Sequence, residues 1–215
     1  MTRRSDETTT SERTPLRSRV RGFLREAVGL AAIVLLVAAA RSTLADHYHV
    51  PSGSMRPSVE IGDRILVNKL AYGIKLPLVG TTLVDLDEPE VGDVVVLSSP
   101  EDGTVLLKRI AAGPGDVVGV HRGQVWRNGQ PLPIHHDGEW WQEAMPGHQH
   151  PVLLSGGGGP ELEPVRVPPG HFLVLGDNRG QSHDGRLFGF VERDAILGRV
   201  LGVFAREGRP TWQSF

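Results

Sequence analysis

The sequence predicts a mainly β protein: an antiparallel β-sheet domain with a small inserted β-containing lobe, preceded by one N-terminal transmembrane helix. Three observations lead there. One apolar run near the N-terminus is long enough to cross a bilayer, the remainder is built of short β-branched runs bounded by Gly, Pro or Asp, and no helical stripe competes with those runs.

Residues 1–22 are rich in Ser, Thr, Arg and acidic residues without apolar periodicity, and read as a disordered tail. Residues 23–45 are mostly apolar, with an uncharged stretch from Ala27 to Ala40 bracketed by Arg25, Glu26 and Arg41. As a helix rising about 1.5 Å per residue, the span reaches roughly 35 Å against a bilayer core of about 30 Å, with Arg25 and Arg41 snorkelling to the two interfaces. Six arginines (Arg3, Arg4, Arg13, Arg17, Arg19, Arg21) precede it, so the N-terminus stays in the cytoplasm and residues 46–215 lie outside. Thr43-Leu-Ala45 also suits the small-residue site of a cleavable export signal. The retained anchor is preferred because Arg41 interrupts the approach to that site.

Strands follow at Arg64–Tyr72, Asp93–Leu97, Thr104–Ile110, Asp116–Val120, His171–Leu175 and Ala195–Phe204. Asn128-Gly129 marks a hairpin turn between Gln124–Arg127 and Gln130–Leu132. From there to Pro169 the pattern lapses into His, Trp, Gly and Pro, including Ser155-Gly-Gly-Gly-Gly-Pro160. This region, about 121–168, reads as the inserted lobe or a long loop.

Composition excludes several kinds of chemistry. There are no cysteines, hence no disulfide, thiolate metal site or thiol nucleophile. A net charge of -2 leaves no broad basic field for nucleic acid. What remains is a hydroxyl and an amine. Ser54 lies in Val50-Pro-Ser-Gly-Ser-Met-Arg-Pro-Ser58, just beyond the apolar run, and a serine needs a base to become nucleophilic. Lys69, Lys75 and Lys108 are the lysines among 23 basic residues; the others are arginines, which cannot be deprotonated. On a strand, Leu106, Lys108 and Ile110 share one face while Leu107 and Arg109 share the other. Lys108 thus points into apolar company, where burial lowers an amine's pKa toward that of a general base.

A third segment, Gly176-Asp-Asn-Arg-Gly-Gln-Ser-His-Asp-Gly-Arg-Leu-Phe-Gly189, follows a strand and gathers a hydroxyl, two carboxylates and two guanidiniums. Together with Pro51–Ser58, Gly62-Asp63, Gly92–Val96 and Lys108-Arg-Ile-Ala-Ala-Gly-Pro-Gly-Asp116, in that order, it closely resembles the bacterial type I signal peptidases. The resemblance implies a membrane-bound serine endopeptidase with a Ser/Lys dyad, which removes signal peptides from exported preproteins after small residues, usually alanine. Its partners would be those signal peptides, membrane lipid and, by proximity, the export machinery, with no metal or nucleotide cofactor.

Carried onto this sequence, the resemblance makes Ser54 the nucleophile and Lys108 the general base. The Ser54 N–H and the Ser52 hydroxyl would form the oxyanion hole, and Ser182 would orient the Lys108 amine. Asp184 and Arg186 would form a supporting ion pair, with Asp177 and Asn178 as turn and scaffold residues. Met55, Val59, Leu106 and Leu107 flank the dyad and are candidates for lining shallow substrate pockets. The sequence departs from the family at Ser58, where threonine is usual, at Gly185, where serine is usual, and in showing one membrane span rather than two.

Two other readings fit parts of the chain. One is a different Ser/Lys protease, such as a self-cleaving repressor, disfavoured by the membrane span and the lack of a DNA-binding unit. The other is an inactive, membrane-tethered binding module of the same fold. His135, His136, His148 and His150 lack metal-ligand spacing and read as a solvated loop. His183, between Ser182 and Asp184, cannot easily serve both neighbours as a triad histidine. The four-glycine run has no following Lys-Ser or Lys-Thr and reads as a flexible link. Trp140 and Trp141 suit either the membrane interface or burial in the lobe.

Overall fold

Val94-Val-Val-Leu97 is apolar at every position, a pattern that calls for a strand covered on both faces. In the computed structural model, which describes residues 26–30, 45–75 and 82–215, that strand lies at the centre of the largest sheet. The chain divides into two units, residues 1–41 and 42–215. The tail expected at 1–22 and most of the span expected at 23–45 lie outside the described residues. Among the described residues no helix is long and apolar enough to cross a membrane.

The second unit begins with β1 (Ala45–His49), β2 (Arg64–Asn68), β3 (Gly73–Lys75), β4 (Thr82–Asp85), β5 (Val94–Ser98) and β6 (Val105–Ala112). It continues with β7 (Val117–His121), β8 (Gln124–Arg127), β9 (Gln130–Pro131), β10 (Ile134–Asp137), β11 (Trp140–Met145), β12 (His148–Val152) and β13 (Leu162–Arg166). It closes with β14 (His171–Leu175), β15 (Val191–Glu192), β16 (Ile196–Arg206) and β17 (Arg209–Ser214). All the ladders are antiparallel. Eight strands form the main sheet in the order β1-β2-β16-β5-β6-β14-β15, with β17 also on β16. Residues 117–166 hold a four-stranded sheet, β13-β7-β8-β9, and a three-stranded one, β10-β11-β12. At the tip of the β8–β9 hairpin, Asn128 and Gly129 both have positive φ (54° and 79°), which the Asn-Gly pair accommodates.

Alternation along β5 divides the core. Val94 and Val96 join Met55, Val59, Ile65, Val67, Val200 and Val203 on one face. Val95 and Leu97 join Tyr72, Ile110, Phe172, Val174, Val191 and Ile196 on the other. Strand β14 is shared in the same way: Phe172 and Val174 belong to the second cluster, Leu173 and Leu175 to a third formed with Val118, Val120, Val125, Leu132 and Met145. That third cluster seats the smaller sheets against the main one.

Charge is buried among these clusters. Arg109 on β6 forks onto Asp177 with bonds of 2.9 and 2.8 Å. Arg179 bonds Glu143 of β11, and Arg186 bonds Asp184. Burial alone would push the Asp177 and Glu143 carboxyls up, but the guanidiniums outweigh it and hold each at about 2. Removing one member of such a pair strands the other charge, at a cost of about 3–5 kcal/mol.

Two outcomes follow for stability. Leu97→Ala, at a fully buried position, is expected to lower the unfolding free energy by about 2–5 kcal/mol in a urea titration. The carboxyl pKa values are lower in the folded chain than in the unfolded one, so their stabilisation is complete above about pH 5 and is lost as pH falls toward 2. Urea midpoints should therefore drop across that window, and Asp177→Asn, though less stable at pH 7, should show a shallower drop.

Candidate active site

Ser54 lies in the irregular run between β1 and β2. The run is closed at its base by Val50 N–H to Asp63 O (3.0 Å) and Gly62 N–H to Val50 O (2.9 Å). Inside it, Arg56 N–H bonds Gly53 O and Val59 N–H bonds Met55 O, so the chain turns tightly around Ser54. Met55 is buried in the core while Ser54 stays half-buried. The apolar neighbour fixes the turn and the hydroxyl remains accessible.

A second segment grips the turn from the far end of the sequence. Asn178 donates its backbone N–H to Ser54 O (3.0 Å) and its side-chain amide to Gly53 O (3.1 Å). Asp177 accepts the Ser58 hydroxyl at 2.5 Å. Gly176 precedes them, and a Cβ there would collide with both Ser54 O and Ser182 Oγ. Glycine at 176 is what lets the two segments touch.

Lys108 comes from β6, where that strand outruns its neighbour. Strand β14 pairs with β6 from Ala112 to Arg109 and then ends. Its Nζ lies 2.9 Å from Ser54 Oγ and 3.0 Å from Leu107 O. The residue is 3% exposed. Burial lowers its pKa to about 8, the Asp184 and Asp177 carboxylates opposing only part of the effect. An amine with that pKa is partly neutral near physiological pH, and at 2.9 Å it can receive the serine proton.

The remaining expected residues fall as follows. Ser52 is exposed and lines the same cleft as Ser54. Ser182 is buried beside Gly176, but its hydroxyl has no hydrogen-bond partner among the described residues, and the Lys108 amine bonds Ser54 and Leu107 instead. Asp184 takes two bonds of 2.8 Å from Arg186 and accepts Gly176 N–H. Burial would raise its pKa; Arg186 outweighs this and keeps the carboxyl ionised. Gly185 packs too closely on Leu173 and Val174 O to carry a side chain without a shift.

A cleft of about 280 Å³ runs beside the dyad, lined by residues 48–52, Ser54, Met55, Ile65, Val96 and residues 105–108. Met55, Leu106 and Leu107 are therefore in its wall. Val59 is fully buried in the core and does not reach it. Tyr48 and His49 also line it, and no local feature of the sequence marks them.

His183 is exposed and bonds Glu101 at 2.8 Å, apart from any nucleophile. The histidines between 135 and 150 do not share one environment. His135 and His136 are exposed and His148 half-buried, but His150 is buried with Glu143. That contradicts a solvated loop for His150: the region is a β-meander whose alternation carries every second side chain inward. Glu143, His150, Arg109 and Arg179 gave no signal as a group, because their pairing joins positions far apart in sequence. Among the described residues no cluster of three or more His, Asp or Glu is arranged to hold a metal ion.

The chain is similar to known proteins over most of its length. The family model for signal peptidase, peptidase S26, matches residues 24–205. Signal peptidase I of Pseudomonas aeruginosa is 32% identical over 196 residues, spanning 80% of this chain and 69% of that protein. Probable signal peptidase I-1 of Synechocystis sp. is 32% identical over 191 residues, spanning 85% and 83%. Thylakoidal processing peptidase 1 of Arabidopsis thaliana is 32% identical over 165 residues, spanning 75% and 42%. The matched region contains the strands that line the cleft, the Ser54 turn and the Gly176–Gly189 segment, and the chain accordingly belongs to the signal peptidase S26 family of serine endopeptidases.

Proposed function

We propose that this chain removes signal peptides from exported preproteins with Ser54 as nucleophile and Lys108 as general base, cutting after small residues. The observation that carries the reading is the buried lysine amine 2.9 Å from the serine hydroxyl. Neutral Lys108 takes the Ser54 proton as Oγ attacks the scissile carbonyl, and the resulting ammonium protonates the leaving amine. An acyl-enzyme ester remains. Lys108, neutral again, then takes a proton from water as it attacks the ester, and passes that proton to the departing Ser54 Oγ, which releases the carboxylic acid product. The Ser54 N–H and the Ser52 hydroxyl would hold the tetrahedral oxyanion.

Substrate docking has a physical basis in β6. Ile110 N–H bonds Asp93 O and Ile110 O accepts Gly92 N–H, so even-numbered residues of β6 turn their backbone groups toward β5. Odd-numbered residues face the opposite edge, which β14 occupies only as far as Arg109. Val105 and the Leu107 N–H thus offer backbone groups to an extended segment entering between residues 48–52 and 105–108, the Leu107 carbonyl already accepting from Lys108. The apolar walls from Met55, Leu106 and Leu107 leave room for small side chains.

The organisation that suits this activity is a cytoplasmic tail (1–22), a retained anchor (23–45) and an extracytoplasmic peptidase domain (46–215) with a lobe inserted at about 121–168. The anchor would bring Ser54 to the outer face of the cytoplasmic membrane, where cleavage sites emerge beside the export machinery.

Cleavage of a purified preprotein by the full chain in detergent tests the assignment. Ser54→Ala and Lys108→Arg should each lose at least about 10³-fold in kcat, while His183→Ala should stay within about threefold of the parent. Substantial activity in Lys108→Arg would sink the mechanism. Because the base works only when deprotonated, kcat/KM should rise with pH through an apparent pKa near 8, that of the buried amine. A profile already flat at pH 6 would contradict it.

A further inference from the structure

The inserted meander delivers two ionisable side chains to the back of the active site, and the reaction described above uses neither. Glu143 on β11 and His150 on β12 are directly opposite across the ladder, and they are 1% and 3% exposed. The Glu143 carboxylate holds Arg179, which also donates to Gly176 O and to Gly123 O. The His150 ring stands between two carboxylates, its Nε2 being 3.3 Å from Glu143 Oε2 and 3.7 Å from Asp177 Oδ1. Neither ring nitrogen has the alignment of a hydrogen bond to any described residue. Buried polar atoms rarely go unpartnered without a functional or structural reason.

Position supplies that reason. Just past His150, Leu153 N–H donates to Asp177 O (2.9 Å) and Leu153 bridges to Asn178. Asp177 and Asn178 are the residues that grip the Ser54 turn, through Ser58, Gly53 and Ser54 itself. Asp177 is bonded by Arg109 and also attracts the Arg179 guanidinium. Glu143 satisfies Arg179, and the His150 ring keeps the two carboxylates apart.

We propose that His150 and Glu143 are positioning residues for the peptidase reaction: they hold Asp177 on Ser58 and Arg109, and so fix the Asn178 grip that sets Ser54 against Lys108. On this view the insert is coupled to the nucleophile through buried charge. The proposal rests on the dyad reading of the site, and its test includes a measurement that needs no substrate.

The full chain in detergent is compared with His150→Leu, His150→Gln and Glu143→Gln, by preprotein cleavage and by hydrogen exchange at the Asn178 amide. A glutamine at 150 places an amide nitrogen near the position of ring Nε2; leucine places none. His150→Leu should lose about tenfold in kcat per folded molecule with KM within twofold, and its Asn178 amide should exchange about tenfold faster. His150→Gln should restore both to within about threefold. If the leucine variant does not fold, Glu143→Gln decides, since Arg179 would then compete for Asp177 and produce the same paired losses. Parental kcat and exchange in the folded variants would overturn the proposal. So would a fall in kcat with unchanged Asn178 exchange, or a loss confined to melting temperature. If the parent fails to cleave preproteins at all, the proposed function falls, while the exchange comparison still decides whether the insert holds the grip.

Discussion

Lys108 and Arg109 are adjacent cations on β6, both buried, and only one has a carboxylate bonded to it. Arg109 takes both oxygens of Asp177, whereas the Lys108 amine finds a hydroxyl and a backbone carbonyl. A guanidinium cannot shed its proton and must be paired when buried; an amine has the cheaper option of becoming neutral. That division of partners sets the chemistry of the cleft. Were Asp177 free to turn toward Lys108, the amine would be held as an ammonium. Arg109 therefore acts on the site by occupying one of the two carboxylates whose charge reaches Lys108, as Arg186 occupies Asp184, and the Ser58 hydroxyl bonds the same Asp177 oxygen that Arg109 Nη2 does.

The arrangement needs three remote pieces of chain at one place, and the fold meets that need by ending a strand early. Strand β14 covers β6 up to Arg109 and then gives way to Gly176, Asp177 and Asn178. Past that point β6 has Lys108 at an edge, its amine 2.9 Å from Ser54 Oγ. The glycine at 176 is needed at the changeover, since any side chain there would push the Ser54 carbonyl away. Asp184, through Gly176 N–H, ties the same junction to Arg186, whose guanidinium also reaches the carbonyls of Gly158 and Arg179.

What the sequence made legible follows from how local each signal is. Strands β5, β6, β14 and β16 are dense in β-branched and aliphatic residues, and their period of two is visible without knowing any partner. The Asn128-Gly129 turn is likewise a matter of two residues. Strands β10 to β12 were not legible, because Ile-His-His-Asp, Trp-Trp-Gln-Glu-Ala-Met and His-Gln-His-Pro-Val take their inward positions from contacts the segment itself does not encode. Glu143 looks like any surface acid until Arg179 is known to be buried opposite. Ser54, Lys108 and the Gly176–Gly189 segment stood out through their resemblance to a family, while the place of Asn178 beside Ser54 O needed coordinates. Val59 shows the converse limit: it lies close to Ser54 in sequence, yet helical spacing within the turn sends it into the core.

On the proposed docking, the edge of β6 beyond Arg109 has a consequence for breadth of action. Backbone N–H and C=O groups are common to every polypeptide, so a cleft that engages a visitor through Val105 and Leu107 asks first for an extended shape and only then for side chains of a given size. Residues of the visitor that point away from the walls are free to vary. A single copy of such a cleft can serve a large and unrelated clientele, with discrimination concentrated at the few places where the walls come close. Generality of this sort comes from where a strand stops.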